Sequence, residues 1–459
     1  NILKYSKYPY LLKERISGPN GHLANSDAGK TISHLIYSGL SNAMLGHLSK
    51  ENNYLIPDNL KGELKVGHKV LVPFGSQIVE GFVIDIKSEI DSSYEYKEII
   101  EIVEKEFCLN EELLNLGNMV SEKTLSTKMS AYQAMFPKAL KARSENAVGI
   151  KTKAVVYVNP DINVNEYIVN NSRNKKEVSL LTLIGKNEVD RSTINSDSLR
   201  NLIKKGIVLV KNVEVKRMPS YIKEVENRVV LTPEQQKCYE EIKNSDNDKV
   251  LLYGVTGSGK TEIYIKLIKD ALKEGKTALM LVPEISLTPQ IVNRFLSIFK
   301  GDVAAFHSAL SEGEKYDEYR RIASGEVKIV VGARSAIFSP LKNIGVIIVD
   351  ECSSPSFKQD VNPKYNAIDV AFWRGKTHNA KVIMGSATPS LEQFARGIKG
   401  VYNLVKLTKR VSENLPKYIL VDMNEQIKKR NFVLSDVLKE KITKEVNNGH
   451  QVIILLNRR

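Results

Sequence analysis

At 459 residues, 42% of them hydrophobic, the chain is long enough for roughly three or four domains, each with its own core. A surplus of 67 Lys and Arg over 53 Asp and Glu gives +14, spread along the chain rather than gathered in a tail, which makes nucleic acid the leading partner class. Cys108, Cys238 and Cys352 are far apart with no CxxC pair, which excludes an encoded disulfide framework or zinc cluster, and no apolar run approaches the roughly twenty residues of a membrane span; the chain reads as cytoplasmic, without a membrane partner.

In chain order, residues 1–48 are rich in Ser, Gly, Asn and His with broken periodicity, and no function is assigned to them. "DAGKT" at Asp27 to Thr31 is not a phosphate loop, because Ala24 stands where the spacing requires glycine. Residues 49–106 change to short alternating runs, "YLIPDNL", "KVGHKVLVPFGSQIVEGFVIDIKS" and "KEIIEIVE", the pattern of a small β domain. Residues 107–150 read as a helical linker. In 151–220, "VSLLTLIG", "STINSDSLRNLIKKG" and "IVLVKNVEVKR" give helix, turn, helix and then a β-wing; a winged helix that binds DNA and an inert spacer both fit that order.

Residues 221–410 alternate strand and helix, from "KVLLYGV" and "EIYIKLIKDALKEG" to "GVIIVDE" and "KVIMGSAT". Continuous β-branched runs between amphipathic helices imply a parallel sheet covered on both faces. Residues 411–459 begin the same alternation again, with "YILVDM" and "QVIILLN" as strands. The chain opens at Asn1 without methionine and stops within what reads as a strand, so both ends read as cut.

The chemistry concentrates in the sheet region. Gly254, Val255, Thr256, Gly257, Ser258, Gly259, Lys260 and Thr261 fill GxxxxGK[ST] between a strand and a helix. Glycines let backbone N–H groups face the phosphates of ATP, Lys260 supplies a point charge, and the Thr261 hydroxyl is placed for Mg2+. "GVIIVDE" ends a strand in Asp350, which would steady the metal, and Glu351, which would orient and deprotonate the attacking water. "GSATPS" offers Ser386 and Thr388 as a relay between the phosphate site and a moving part. Gln235 in "LTPEQ" is placed either to hydrogen-bond an adenine edge or to complete a capping box with Thr232.

Together with "LVPEISLTPQ", "FHSALSEGEKYDEY", "VVGARSAIFSPLKNIGVIIVDE", "SFKQD" and "ILLNRR", these motifs resemble the primosomal replication-restart helicase family within superfamily two. The resemblance runs from about Tyr54 to the end. It implies a multidomain α/β protein whose RecA-like P-loop motor follows a small β domain and a winged helix. It implies a domain that holds the 3′ end of a nascent strand at a stalled fork, and a motor that unwinds duplex 3′ to 5′, spending ATP with Mg2+. The implied partners are forked and single-stranded DNA, primosome and helicase-loading proteins, and single-stranded DNA-binding protein. It implies 221–410 as the ATP-bearing lobe and 411–459 as the start of a second lobe, with two Zn2+ ions expected only beyond Arg459.

Carried over by position, the 3′-end pocket would use Gly75, Lys97 and Asn53. The family has aspartate at Asn53 and phenylalanine at Asn52. Arg334 in "GARSA" falls on the DNA path, and "SFKQ" supplies Lys358 and Phe357, whose ring would stack on a base and report DNA occupancy to the ATP site. Where the family reads DEEH this chain reads "DECS", so Cys352 and Ser353 replace a glutamate and the histidine that links hydrolysis to DNA; Ile368 stands in place of an arginine. A second reading follows, a fork-DNA-binding module whose ATPase is inactive or uncoupled.

Overall fold

The computed structural model describes residues 53–455, apart from 89–94, 104–108, 137–149, 186, 195, 218–229, 285–288, 307–309, 412–416 and 431. Residues 1–48 and Asn52 lie outside the described residues.

Strands β1 (Lys69–Phe74) and β2 (Gln77–Phe82) form an antiparallel hairpin in register from Lys69↔Phe82 to Phe74↔Gln77, and β3 (Glu101–Ile102) pairs on the other edge of β1. Alternation puts Val70 and Val72 on one face, where they pack with Leu60, Leu64, Ile99 and Ile102 into a small core. Helices α1 (Glu111–Thr124) and α2 (Lys128–Ala134) follow, with N-terminal N–H groups accepted by the side chains of Asn110 and Thr127.

These two helices, expected as a linker, are packed into the large domain. Leu113, Leu116, Val120 and Tyr132 lie in the same apolar cluster as Leu281, Val349 and Ala371 of the large sheet domain. Leucines at helical spacing specify a buried face, and periodicity says nothing about what buries it.

Next comes β4 (Thr152–Val158), then α3 (Val164–Asn170), α4 (Lys175–Ile184), β5 (Val189–Asp190), α5 (Asp197–Lys204) and β6 (Val208–Glu214). The helix, turn, helix order is present, but "IVLVKNVEVKR" does not fold back on itself as a wing. It is one strand, paired antiparallel to β4 from Thr152↔Glu214 to Val158↔Val208, with β5 on the other edge. Its one turn-forming residue, Asn212, lies in mid-strand opposite Ala154. Val156, Leu181, Ile184, Leu199, Leu202 and Val208 close the core.

Helix α6 (Pro233–Asn244) leads into the large domain: β7 (Lys249–Gly254), α7 (Lys260–Lys273), β8 (Thr277–Leu281), α8 (Pro289–Phe299), β9 (Val303–Phe306), α9 (Glu312–Ala323), β10 (Ile329–Gly332), β11 (Ile344–Val349), α10 (Ala367–His378), β12 (Lys381–Ser386), α11 (Leu391–Ile398) and β13 (Asn403–Leu407). The seven strands are all parallel, in the order β13-β7-β12-β11-β8-β10-β9. Alternate residues of β11 enter opposite cores, Ile347 and Val349 on one face and Val346 and Ile348 on the other. Each such fully buried side chain stabilises the fold by about 1.5–3 kcal/mol. The non-sequential order brings β7 beside β12 and β11 beside β8, so the carboxyl ends of β7, β11 and β12 share one edge, where open α/β sheets bind ligands.

The described residues up to Lys409 form one compact unit and those from Arg410 onward a second. The second contains α12 (Met423–Lys428) and α13 (Asp436–Asn447). The expected strands "YILVDM" and "QVIILLN" are not strands over their described residues, and the side chain of Leu420 is fully exposed. A strand requires a neighbour to satisfy its N–H and C=O groups, and among the described residues none is paired with these runs. Among the described residues, no helix is long and apolar enough to cross a membrane.

Candidate nucleotide and DNA sites

The loop between β7 and α7 follows from its glycines. Gly257 and Gly259 adopt φ of +78° and +80°, which side-chain-bearing residues rarely hold, and this turns the chain tightly from strand into helix. Lys260 opens the helix, and its Nζ donates to the Gly254 carbonyl at 2.9 Å. The buried Ser258 hydroxyl has no hydrogen-bond partner. An orphaned hydroxyl and an inward lysine at a helix N-terminus fit a phosphate chain. Val255, Thr256 and Gly257 line the more exposed side of the loop, and the half-buried Thr261 sits in the first turn.

Gln235 is committed elsewhere. Its Oε1 accepts from the Thr232 N–H at 2.9 Å, completing a capping box, and its Nε2 donates to the Ser258 carbonyl at 2.9 Å. The adenine-edge reading gives way to this one: the side chain, 2% exposed, ties α6 to the phosphate loop.

Across the sheet, Asp350 and Glu351 follow β11. Glu351 has φ +45°, left-handed backbone for a residue with a side chain, at a cost of roughly 1–2 kcal/mol. Hydrogen bonds on both sides hold it there: Asp350 N–H to the Leu281 carbonyl and Cys352 N–H to the Gly385 carbonyl, each 2.9 Å. Tyr264, on α7 one turn beyond Lys260, donates its hydroxyl to Asp350 Oδ1 at 3.0 Å, so the phosphate loop and the acidic corner converge. Burial raises the Asp350 carboxyl above its ordinary range, and the Tyr264 hydrogen bond opposes that rise. Burial also pushes the Cys352 thiol up to about 12.

The relay residues connect to the same corner. Ser386, fully buried at the end of β12, lies 3.1 Å from the Ser353 hydroxyl and accepts from the Thr388 N–H at 3.0 Å. Lys260, Asp350, Glu351 and Ser386 therefore line one sheet edge. Where ATP and Mg2+ bind here, Ser258 and Lys260 are placed to hold phosphates, and Thr261 and Asp350 to hold the metal, whose charge would steady the leaving phosphate. Among the described residues, no three His, Cys, Asp or Glu side chains form a metal cluster of their own.

Two DNA residues behave otherwise than expected. Phe357 is 1% exposed, packed in the core with Tyr365 and Ile368, so its ring has no face for a base. The sequence reading took an aromatic in a loop for a surface platform, but the 3-10 turn Pro355–Phe357 folds it inward. Arg334 spends its guanidinium on this turn, Nη1 donating to the carbonyls of Ser356 at 3.1 Å and Lys358 at 2.8 Å. Lys358 is exposed, with Nζ donating to the Lys364 carbonyl at 2.6 Å.

In the β domain two of the expected pocket residues, Lys97 and Gly75, are in contact. Leu55 N–H donates to the Lys97 carbonyl at 2.9 Å, and Asn53, two residues before Leu55, is exposed. Lys97 Nζ donates to the Gly75 carbonyl at 3.2 Å, and the Tyr54 hydroxyl to the Pro73 carbonyl at 3.3 Å. Phe74, 56% exposed beside Gly75, adds an aromatic face that the sequence reading missed; it was legible as the residue between Pro73 and a turn glycine.

Arg374 was also missed. Fully buried on α10, it donates to Glu112 Oε1 at 2.7 Å and Oε2 at 3.1 Å, and to the carbonyls of Ile337, Ser339 and Leu341. Burial alone would raise the Glu112 carboxyl, but His378, whose Nε2 lies 3.0 Å from Oε1, and the charge and hydrogen bonds of Arg374 outweigh it and hold it at about 2.

The DEAD/DEAH box helicase family matches residues 232–396, and the 3′ DNA-binding domain matches residues 43–137. Replication restart protein PriA of Bacillus subtilis (strain 168) is 39% identical over 90% of this chain and 61% of its own length. Its namesake in Chlamydia pneumoniae is 43% identical over 50% of this chain and 32% of its own. Among solved structures, RecG bound to a three-way DNA junction aligns at a TM-score of 0.35 and 22% identity, over 50% of this chain and 29% of that one, a likeness too slight to bear on the site. The chain thus spans about three-fifths of the length of its Bacillus relative. Over the stretch it shares with these relatives, the chain is similar to replication restart proteins, with one segment of the DEAD/DEAH box helicase kind and one of the 3′ DNA-binding kind.

Proposed function

We propose that this chain hydrolyses ATP to move on DNA at stalled or branched replication forks, travelling 3′ to 5′ and clearing the way for primosome assembly. The observation that carries the proposal is the convergence of Lys260, Asp350, Glu351 and Ser386 at one sheet edge, in the same compact unit as the Lys97–Gly75 contact of the β domain. A phosphate loop alone would fit a small-molecule kinase; a phosphate loop sharing a unit with a β domain of the 3′ DNA-binding kind does not.

The side chains divide the work. Lys260 and Ser258 would hold the outer phosphates, and Glu351, held in a strained backbone conformation, would take the proton of the attacking water. The cluster near Gly75 would hold a strand end through backbone groups and Asn53, with Phe74 as stacking face. The proposed partners are forked and single-stranded DNA, single-stranded DNA-binding protein and loader proteins; the proposed location is the cytoplasm.

The second reading, a fork-binding module with an uncoupled ATPase, rests on Ser353 in the histidine position and on the buried Phe357. Fork substrates that differ only at the nascent 3′ end test the proposal. A free 3′ hydroxyl is expected to bind at least about threefold more tightly than a 3′ phosphate, with Phe74→Ala and Lys97→Ala reducing the difference. Equal affinity for both ends would remove the 3′-end pocket from the proposal.

A further inference from the structure

Tyr264 lies in the interior between the phosphate-loop helix and the acidic corner, wholly buried, and spends its only side-chain polar atom on Asp350 Oδ1 at 3.0 Å. Space for that hydroxyl is provided by an absence. A Cβ built on Gly385 would lie 1.7 Å from Tyr264 Oη and 3.4 Å from Asp350 Oδ1, so any larger residue would drive the phenol off the carboxylate. Three segments that the sequence presents as separate motifs, "GKTEIY", "VDE" and "GSAT", therefore meet at a single hydrogen bond.

We propose that Tyr264 is a positioning residue for the metal-holding carboxylate, and that Gly385 is glycine to leave room for its hydroxyl. The inference rests on the nucleotide-site reading above and names a residue which that reading does not use. An aspartate side chain at a strand end can rotate about two torsions. With Oδ1 held by Tyr264 and the backbone fixed by the Leu281 carbonyl, the carboxylate is kept from rotating and Oδ2 is left in one orientation. Mg2+ demands near-ideal octahedral geometry and tolerates a swinging ligand poorly. Partners that orient metal ligands from behind are worth about 10–100-fold in metal affinity.

The test uses the full chain and Tyr264→Phe, which keeps the ring and removes the hydroxyl. Binding of a fluorescent N-methylanthraniloyl ADP is followed with EDTA present and then across a MgCl2 titration. The affinity measured in EDTA is expected to stay within about twofold, while the Mg2+ concentration at half-effect rises about tenfold or more. Gly385→Ala retains the tyrosine but displaces it, and is expected to raise the Mg2+ midpoint similarly. In an Asp350→Asn background, Tyr264→Phe is expected to add nothing further. An unchanged Mg2+ midpoint in both single variants overturns the inference and leaves the nucleotide site standing. An unmodified chain that binds no labelled ADP, with or without Mg2+, overturns the nucleotide-site reading and this inference with it.

Discussion

Ser353 shows how a departure from the family pattern is absorbed. Its hydroxyl reaches Ser386 at 3.1 Å, so a polar link from the acidic corner to "GSAT" exists without an imidazole. The link is short and neutral, and it offers no charge to stabilise a transition state. Fork stimulation of phosphate release is therefore expected to be modest. Ser353→Ala should lower the ratio of fork-stimulated to basal rate by about threefold or more, and Ser353→His should raise it; a ratio that neither substitution moves would show that coupling runs elsewhere. Gln235 carries a second expectation. Gln235→Ala leaves the Ser258 carbonyl without its donor, at a cost of about 1–3 kcal/mol, and loosens the loop. Because the amide is committed to protein, the preference for ATP over GTP should not change; a collapsed preference in competition assays would restore the adenine reading.

Among the elements, α1 and α2 matter most. Phe82 of β2 stacks on Phe136, just past α2, with centroids 5.6 Å apart, and Phe136 in turn meets Tyr319 of α9 at 5.9 Å. The same helix α9 accepts the end of β6: Arg217 N–H donates to Asp317 at 2.8 Å, and Arg320 pairs with Glu214. The β domain and the β4 to β6 module thus anchor on one helix of the large domain. Phe136→Ala is expected to cost about 3 kcal/mol, read as a lower melting temperature together with weaker fork stimulation. The Glu112–Arg374 pair ties α1 to α10. A carboxyl held at about 2 against an ordinary 4.5 contributes stability that is full above about pH 4.5 and is lost as pH falls toward 2, on the order of 3 kcal/mol. Melting temperature should therefore fall more steeply between pH 5 and 3 in the unmodified chain than in Glu112→Gln; equal slopes would contradict this.

The phosphate loop, the acidic corner and "GSAT" were legible because their chemistry lies in local spacing that repeats wherever phosphates are held. Glu112 and Arg374 were not, since 262 residues separate them and neither residue type announces burial. Tyr264 reads as one more apolar position on an amphipathic helix until Gly385 is seen beside it. The pairing of β6 with β4 was hidden for the same reason, because period-two alternation fixes a strand but not its neighbour.

For the molecule as a whole, the charge of +14 and the proposed 3′-end pocket predict DNA binding that depends on phosphate contacts. Fork affinity should fall about linearly in log–log form with salt concentration, with little change on Lys260→Ala, whose Nζ is turned inward to Gly254. The central claim is that nucleotide chemistry and DNA recognition reside at separate sites of one working unit. The most direct measurement is phosphate release and forked-DNA affinity, taken side by side on the full chain and on Lys260→Ala. The expected result is release lowered at least about a hundredfold with fork affinity within about twofold. Equal losses of both, or no loss of either, would contradict it.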